Sequence, residues 1–473
     1  MDLDSFRREA HRLADWMADY LAGIERLPVR SQLPPGAVAA QLPDGPPAAP
    51  ESFPDLMADL ERVILPGLTH WQHPRFLAYF PANSSPASLL AEMLTAAFGA
   101  QCLLWQTSPA ATELEARVLD WLRQMIGLPE GFAGVIQDSA SSATLCAVLT
   151  ARERATGWRG NADGLRDLPP LAVYCSEEAH SSVEKAVRIA GLGSSALRKI
   201  PTDATVAIRP DALDAAIRAD LAAGIAPACI VATLGTTSTG AFDPLKPVAE
   251  LAREHGAYLH VDAAWAGSAL ICPEQRAWAA GLELADSLVL NPHKWLLTNF
   301  DCSAHLVRRP DELVRTLAIN PAYLQTREGA AVTDYRDWGI PLGRRFRALK
   351  LWFVIRAYGV EGLQALIRRH IALARGLAAW IEADPDFELT SGPSLALLTF
   401  RYHPQGIEDE AALDALNARL LEAVNDDGRT YLTQTRLRGR YVIRASIGQT
   451  TTERRHVEEA WAAVREIAWA LGA

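Results

Sequence analysis

The sequence predicts an α/β protein: a large domain on a mostly parallel sheet, a smaller C-terminal α/β domain and an N-terminal helical arm. Three observations carry that reading. Between about residues 86 and 340, the apolar runs "FAGVIQ", "LAVYCS", "ACIVATLG", "AYLHVDAA" and "DSLVLNP" alternate with longer stretches rich in Ala, Leu, Glu and Arg. Short runs without polar alternation read as strands buried on both faces, and parallel strands need the helical crossovers that lie between these. From about Arg345 a long helical pattern leads into two further strand-like runs, "LALLTFRY" and "YVIRASIG", and a closing helix, "ERRHVEEAWAAVREIAWAL". Ahead of both lies a segment with helical periodicity and no evident core of its own. The resulting boundaries are 1–85, 86–345 and 346–473.

Taken in order, the first segment sets Phe6, Ala10, Leu13, Met17, Leu21 and Ile24 on one helical stripe, then breaks into the proline-rich "LPPGAVAAQLPDGPPAAPESFPD". A stripe followed by an extended arm is expected to pack on something else, such as a second subunit. At 473 residues the chain is too long for one ordinary core. Hydrophobic residues make up 49% and charged residues 22%, and no apolar run approaches the ~20 residues that span a bilayer. The start, "MDLDSFRREAHRLADWM", is acidic and amphipathic, unlike a signal peptide, and the six cysteines show no C-x-x-C pair or zinc spacing. Free thiols in a reducing cytoplasm are the expectation. A net charge of -10 argues against a nucleic-acid partner, which needs a basic surface.

Ligands of parallel sheets bind beyond the carboxyl ends of the strands, and the chemically suggestive residues sit there. "VIQDSASSATLCAV" passes from strand to helix through hydroxyl residues. Backbone N–H groups at the helix start, with Ser139 and Ser141, can surround a phosphate; a plain serine N-cap is the other reading. His180 follows the strand of "VYCSEEAHSSVEKA", where an imidazole either lies flat on a ring or caps a helix. Asp262 ends the strand of "YLHVDAAWAGS", and a buried carboxylate needs a partner: a protonated ring nitrogen, a helix N-cap or an arginine. Lys294, in "SLVLNPHKWLLTNFDC", completes the set, because a lysine held away from water near a cationic ring becomes a nucleophilic amine. A phosphate cradle, a stacking ring, a carboxylate for a pyridinium nitrogen and an imine-forming lysine are together the four attachments of pyridoxal 5'-phosphate. "GLGSSA" at 191–196 follows a helical pattern rather than a strand, which argues against a dinucleotide loop. His70 and His73 in "HWQHP" have no acidic or cysteine neighbour in sequence, so no metal is expected there.

Longer motifs make a likeness specific. "SPAATELE", "QDSASSATL", "AHSSVEKA", "ATLGTTSTGAFDP", "HVDAAWAGSALICPE", "NPHKW", "NFDCS" and "IPLGRRFRALKLW" resemble the aromatic-L-amino-acid decarboxylases, and the resemblance runs from the first helix to the last. These are group II pyridoxal-phosphate decarboxylases and include tryptophan, tyrosine and DOPA decarboxylases. The resemblance implies a type I aminotransferase-like fold in an obligate homodimer whose N-terminal helices wrap the partner. It also implies that Lys294 holds the cofactor as an imine, Asp262 pairs with the pyridine nitrogen and His180 stacks on the ring. Ser139, Ala140 and Ser141 would hold the phosphate with Asn291 and His293, and Thr236 would touch the cofactor near Asp262. The implied reaction converts tryptophan, tyrosine, phenylalanine or DOPA to the arylalkylamine and carbon dioxide.

The segment "PAYLQTREGAAVTDYRDWGIPLG" reads as a long functional loop. Within it Tyr335 matches the loop tyrosine that in that family protonates the α-carbon, behind a loop that closes against water. A tyrosine that merely anchors a surface loop is the alternative. Relatives with phenylalanine there release an aldehyde by oxidative chemistry, so an aromatic aldehyde synthase is the rival reading and the tyrosine favours the amine. For the side-chain pocket, "HWQHPRFLAYFP" matches the lining segment of the family, with Trp71, Tyr79, Phe80, Pro81 and Ala82 beside His180 walling a slot for a flat ring. Ala82 stands where the animal enzymes have threonine, and Gln101 and Leu103 where they have isoleucine and phenylalanine. The smaller Leu103 widens the slot toward an indole.

Overall fold

The computed structural model describes residues 1–319, 324, 328 and 331–472. The chain divides into two compact units: Ala82–Ala372, and Met1–Pro81 together with Leu373–Ala473. The first unit is built on seven strands: β1 (Ala133–Gln137), β2 (Leu171–Ser176), β3 (Leu197–Ile200), β4 (Ala226–Thr233), β5 (Tyr258–Asp262), β6 (Ser287–Leu290) and β7 (Ser303–Val307). Their order is β1-β7-β6-β5-β4-β2-β3. Strands β2 to β6 pair in parallel, and β7 alone runs antiparallel to both of its neighbours, β6 and β1. All five apolar runs of the sequence are strands, and β2, β5, β6 and β7 are buried at every position.

Helices cover the sheet. Ala147 and Ala151 of the helix Ala140–Ala155 and Val183 and Val187 of the helix Ser182–Ile189 pack with Val173, Cys175, Cys229 and Val231 of β2 and β4. Each valine so buried contributes on the order of 1.5–3 kcal/mol. Two strands escape a hydrophobicity reading: β3 is a half-exposed edge strand, "LRKI", and β7, "SAHLV", carries a buried serine and histidine. The reversed direction of β7 has a chemical consequence. It brings Ser303, its first residue, opposite Gln137 at the edge where the parallel strands end.

The second unit holds a four-stranded antiparallel sheet of β8 (Phe387–Ser394), β9 (Leu397–Tyr402), β10 (Thr433–Leu437) and β11 (Arg440–Ser446), in the order β10-β11-β9-β8. The runs "LALLTFRY" and "YVIRASIG" became β9 and β11, accompanied by the helices Glu410–Asp427 and Arg454–Gly472. The first helix, Leu3–Gly23, is N-capped by Asp2, which accepts from the Ser5 N–H at 2.7 Å. Of its residues only Gly23 is buried, and Leu3 and Phe6 remain 80% and 59% exposed. No helix among the described residues is long and apolar enough to cross a membrane.

Candidate active site

The strand directions place five connections on one edge of the seven-stranded sheet. Past β1 come Asp138 and Ser139, past β2 His180, past β4 Thr236, at the end of β5 Asp262, and past β6 the run Asn291 to Lys294. Ser139 caps the helix Ala140–Ala155: its backbone is extended and its Oγ accepts from the Ser142 N–H at 3.2 Å. The capping reading of Ser139 therefore holds, and the same helix start, with half-buried Ala140 and Ser141, directs backbone N–H groups and a partial positive charge outward.

Beneath this lies a buried floor. Asp262 is 6% exposed, and its Oδ1 accepts from the Ala264 N–H at 3.0 Å. Thr236, fully buried, accepts from the Ala241 N–H at 3.0 Å in a turn that needs Gly235, whose φ is 86° and where a Cβ would lie 2.7 Å from the Ala266 methyl. The Asn291 N–H donates to the Ala264 carbonyl at 2.9 Å, and its Oδ1 accepts from the Ser303 hydroxyl at 2.5 Å.

The histidines are set as neutral donors. Nδ1 of His293 accepts from the Cys302 N–H at 2.9 Å, which leaves the ring proton on Nε2. Burial, reinforced by the Lys294 ammonium, lowers its pKa to about 3. Nδ1 of His180 likewise accepts from the Ser182 N–H at 3.2 Å. Although His180 keeps a face toward solvent in the single chain, loss of hydration lowers its pKa first, Lys294 pushes it the same way, and Asp262 opposes them. His180, Asp262 and Lys294 thus lie within electrostatic reach of one another. Lys294 is half-buried on the helical turn Pro292–Trp295. The next residue locks that turn: Trp295 stacks on Trp265 at 5.1 Å and donates its Nε1–H to His370 Nδ1 at 2.9 Å.

An amine, a carboxylate, an imidazole face and a donor-rich helix start on one edge fit the attachments expected for a phosphorylated pyridine aldehyde. Ser303, Cys302 and Asp301 serve this site without having been singled out in the sequence. Cys302 and Ser303 fix His293 and Asn291, and Asp301 holds that segment through Arg347 at 2.7 Å. The motif "NFDCS" was visible, but nothing in it signals that a backbone N–H chooses a tautomer.

Tyr335 lies elsewhere. It opens the short helix Tyr335–Trp338, is 2% exposed, and packs with Val135, Cys146, Val307, Leu313 and Trp338. The Arg344 guanidinium covers its ring at 4.8 Å, and burial raises its phenol pKa well above the ordinary value. Its neighbours are pinned too: Arg336 N–H donates to Leu103 carbonyl at 3.0 Å, and Trp105 N–H to Asp334 at 2.8 Å. That is the environment of a packed core residue. Most of the expected loop before it, residues 320–323, 325–327, 329 and 330, lies outside the described residues.

Leu103 and Ala82 belong to the same unit as Lys294, whereas Trp71, Tyr79, Phe80 and Pro81 belong to the other. There Trp71 stacks on Tyr79 at 5.7 Å, the Tyr79 and Tyr431 hydroxyls meet at 3.3 Å, the Arg444 guanidinium sits 4.7 Å from the Phe80 ring, and Pro81 fills the space beside Gly448. Trp71 and Tyr79 remain 39% and 50% exposed, so the cluster presents an open aromatic wall. His70 and His73 are used in hydrogen bonds, Nδ1 of His70 with the Tyr20 hydroxyl at 2.8 Å and Nδ1 of His73 with the Arg75 N–H at 3.0 Å.

Comparison with known proteins gives a consistent result. Residues 35–403 match the family model described as the pyridoxal-dependent decarboxylase conserved domain. A tryptophan decarboxylase of Camptotheca acuminata is 43% identical over 481 residues, covering 100% of this chain and 96% of its own. A phenylacetaldehyde synthase of Arabidopsis thaliana is 44% identical over 476 residues, covering 98% and 96%. Among solved structures, the Oryza sativa TDC with PLP and tryptamine superposes with a TM-score of 0.97 at 37% identity, covering 100% of this chain and 99% of that one.

Proposed function

The chain belongs to the pyridoxal-dependent decarboxylases, and from that premise we propose that it removes the α-carboxylate of an aromatic L-amino acid as carbon dioxide and releases the arylalkylamine. Its cofactor is pyridoxal 5'-phosphate. The observation that carries the reading is the electrostatic grouping of Lys294, His180 and Asp262 on the carboxyl edge of the sheet. When bound, the cofactor supplies a conjugated ring that accepts the electron pair left by departing carbon dioxide. The residues do the rest. Lys294 would supply the amine that anchors the cofactor. Asp262, dry and held by the Ala264 N–H, would hold a proton on the ring nitrogen. His180, oriented by the Ser182 N–H, would lie against the ring face without adding a competing positive charge. Ser139, Ala140, Ser141, Asn291 and the Nε2–H of His293 would hold the phosphate, and Thr236 would support the floor beside Asp262.

The last step delivers a proton to the α-carbon. A phenol packed in a core cluster under Arg344 is poorly placed for that task, and the segment holds one other tyrosine, Tyr323, which lies outside the described residues. We assign the proton to Tyr323 and a packing role to Tyr335. For the substrate ring, Ala82, Leu103 and His180, in the unit that carries Lys294, are the proposed lining. A homodimer is the proposed assembly. The single chain leaves Leu3, Phe6, Leu90, Phe98 and Phe300 between 57% and 80% exposed, large apolar side chains that a partner subunit would cover. Six buried, unpaired cysteines support a reducing, cytoplasmic setting.

The rival reading keeps the cofactor and releases an aldehyde. The two plant relatives, a tryptophan decarboxylase and an aldehyde synthase, are equally similar, so identity does not choose between them. The proposed proton donor, Tyr323, is a tyrosine rather than a phenylalanine, which favours the amine. The test is incubation of the purified holoenzyme with tryptophan, tyrosine, phenylalanine and DOPA, with and without oxygen, and identification of products by mass spectrometry. An oxygen-independent amine is expected; aldehyde with peroxide and ammonia, formed only in air, would overturn the assignment.

A further inference from the structure

On the opposite edge of the seven-stranded sheet lies a cavity of about 320 Å³ lined by Arg154, Arg253, Arg308 and Arg309 around a single carboxylate, Asp286. Its position follows from the topology. Asp286 directly precedes β6, Arg308 directly follows the antiparallel β7, and Arg154 stands at the far end of the helix whose start is capped by Ser139. A 16-residue helix is about 24 Å long, so this cavity is a helix length from the phosphate cradle.

The charges do not balance locally. Asp286 pairs through one oxygen with Arg154 at 2.9 Å and Arg309 at 3.1 Å, and through the other accepts from the Leu259 N–H at 2.9 Å. Glu312, from outside the cavity, takes a second contact of Arg309 at 3.0 Å. Arg253 forms no ion pair among the described residues. Arg308 donates Nε–H to the Ala285 carbonyl at 2.9 Å and lies 4.8 Å from the Phe132 ring, yet its Nη2 is buried without a hydrogen-bond partner among the described residues. A buried guanidinium nitrogen left unmatched is unfavourable, and in a chain of net charge -10 four arginines against two carboxylates, Asp286 and Glu312, stand apart. Arginines used only to close the helix terminus or to pair with Asp286 would not need a fourth member or an orphaned nitrogen.

Guanidinium groups match the oxygens of a phosphate in a fork geometry. Alanine and leucine side chains complete the wall beside them, and the volume exceeds what a bare phosphate fills. We propose that this cavity is a second binding site, for a phosphate group carried free or on a small phosphomonoester.

The test is calorimetric titration of the holoenzyme, freed of excess cofactor, in low-salt phosphate-free buffer, with inorganic phosphate, adenosine monophosphate and adenosine. One equivalent per chain of each phosphate-bearing probe is expected, with adenosine silent. Tighter binding of the monophosphate identifies an ester as the ligand, and equal affinity identifies free phosphate. Arg253→Ser, a change at an exposed side chain that leaves folding intact, is expected to weaken binding at least ~10-fold, as is Arg309→Ser. Absence of saturable binding, equal affinity in both variants, or loss of binding in Ser141→Ala, which would place the phosphate in the cofactor cradle, would each overturn the proposal.

Discussion

Two buried polar blocks of the same unit differ in what their polar groups do. Beside β1, Arg344 bonds Glu115 at 2.6 Å and the Ile136 carbonyl at 3.1 Å, Glu115 accepts from the Ile136 N–H at 2.8 Å, and Arg344 covers Tyr335. Gln137 adds a bond to the Trp338 carbonyl at 2.8 Å. There Glu115 and Arg344 spend their charges on each other and on the strand backbone. At the carboxyl edge, His293 and His180 each spend only Nδ1 on a backbone N–H, and Asp262 spends one oxygen on Ala264. Burial alone therefore does not mark a site. A fixed tautomer with a donor to spare, next to a carboxylate and a lysine, does.

The contrast can be broken most decisively at the tyrosines. Tyr323→Phe is expected to slow amine formation by about 10²–10⁴-fold, the usual worth of a general acid. Tyr335→Phe should leave turnover close to wild type and shift stability by less than ~1.5 kcal/mol. Steady-state rates with product identification decide it, and the opposite pattern would return the proton to Tyr335. Next in size, Glu115→Gln should destabilise the fold by ~3–5 kcal/mol, because it strips a buried guanidinium of its counter-charge. Denaturant unfolding would show that loss, while cofactor absorbance in the folded fraction stays unchanged.

The smallest expected effect tests the neutral imidazoles. His305 on β7 is fully buried, neither ring nitrogen has a partner among the described residues, and its pKa is lowered to about 4 by burial. An unfolded imidazole binds its proton near 6.5. The unfolded state therefore holds more protons between about pH 4 and 6.5, so the stability from this burial is fully present above that window and is lost as the pH falls through it. For His305 alone the loss from pH 7.5 to 5 is ~2 kcal/mol, and His293 acts in the same direction. Melting temperature against pH should fall less steeply in His305→Leu than in the wild type.

Much of this was legible in the sequence. Strands buried on both faces announce themselves by unbroken apolar runs, as β2, β5 and β6 do, and the residues just past them are where ligands of parallel sheets bind. The edge strand β3, "LRKI", and the reversed β7, "SAHLV", were not legible, because half-exposure and buried Ser303 and His305 erase the apolar signal. The position of Ser139, Asp262, His180 and Lys294 along the chain was clear; the Cys302 N–H that sets His293 is a backbone contact with no side-chain signature. The proposal of Tyr323 over Tyr335 rests on packing, since motif matching sees a tyrosine but not the arginine lying over it.

Lysine chemistry provides the sharpest test, because the unit contains a second buried lysine. Lys350 is 1% exposed, pairs with Glu92 at 2.9 Å, and has a pKa lowered by burial to about 8, so it carries the acid–base signature of a reactive amine. Its charge is matched by a carboxylate, whereas Lys294 shares an electrostatic neighbourhood with His180 and Asp262. The measurement is borohydride reduction of the holoenzyme followed by peptide mapping. The account predicts a single pyridoxyl adduct on Lys294, and an adduct on Lys350 or any other lysine would contradict it.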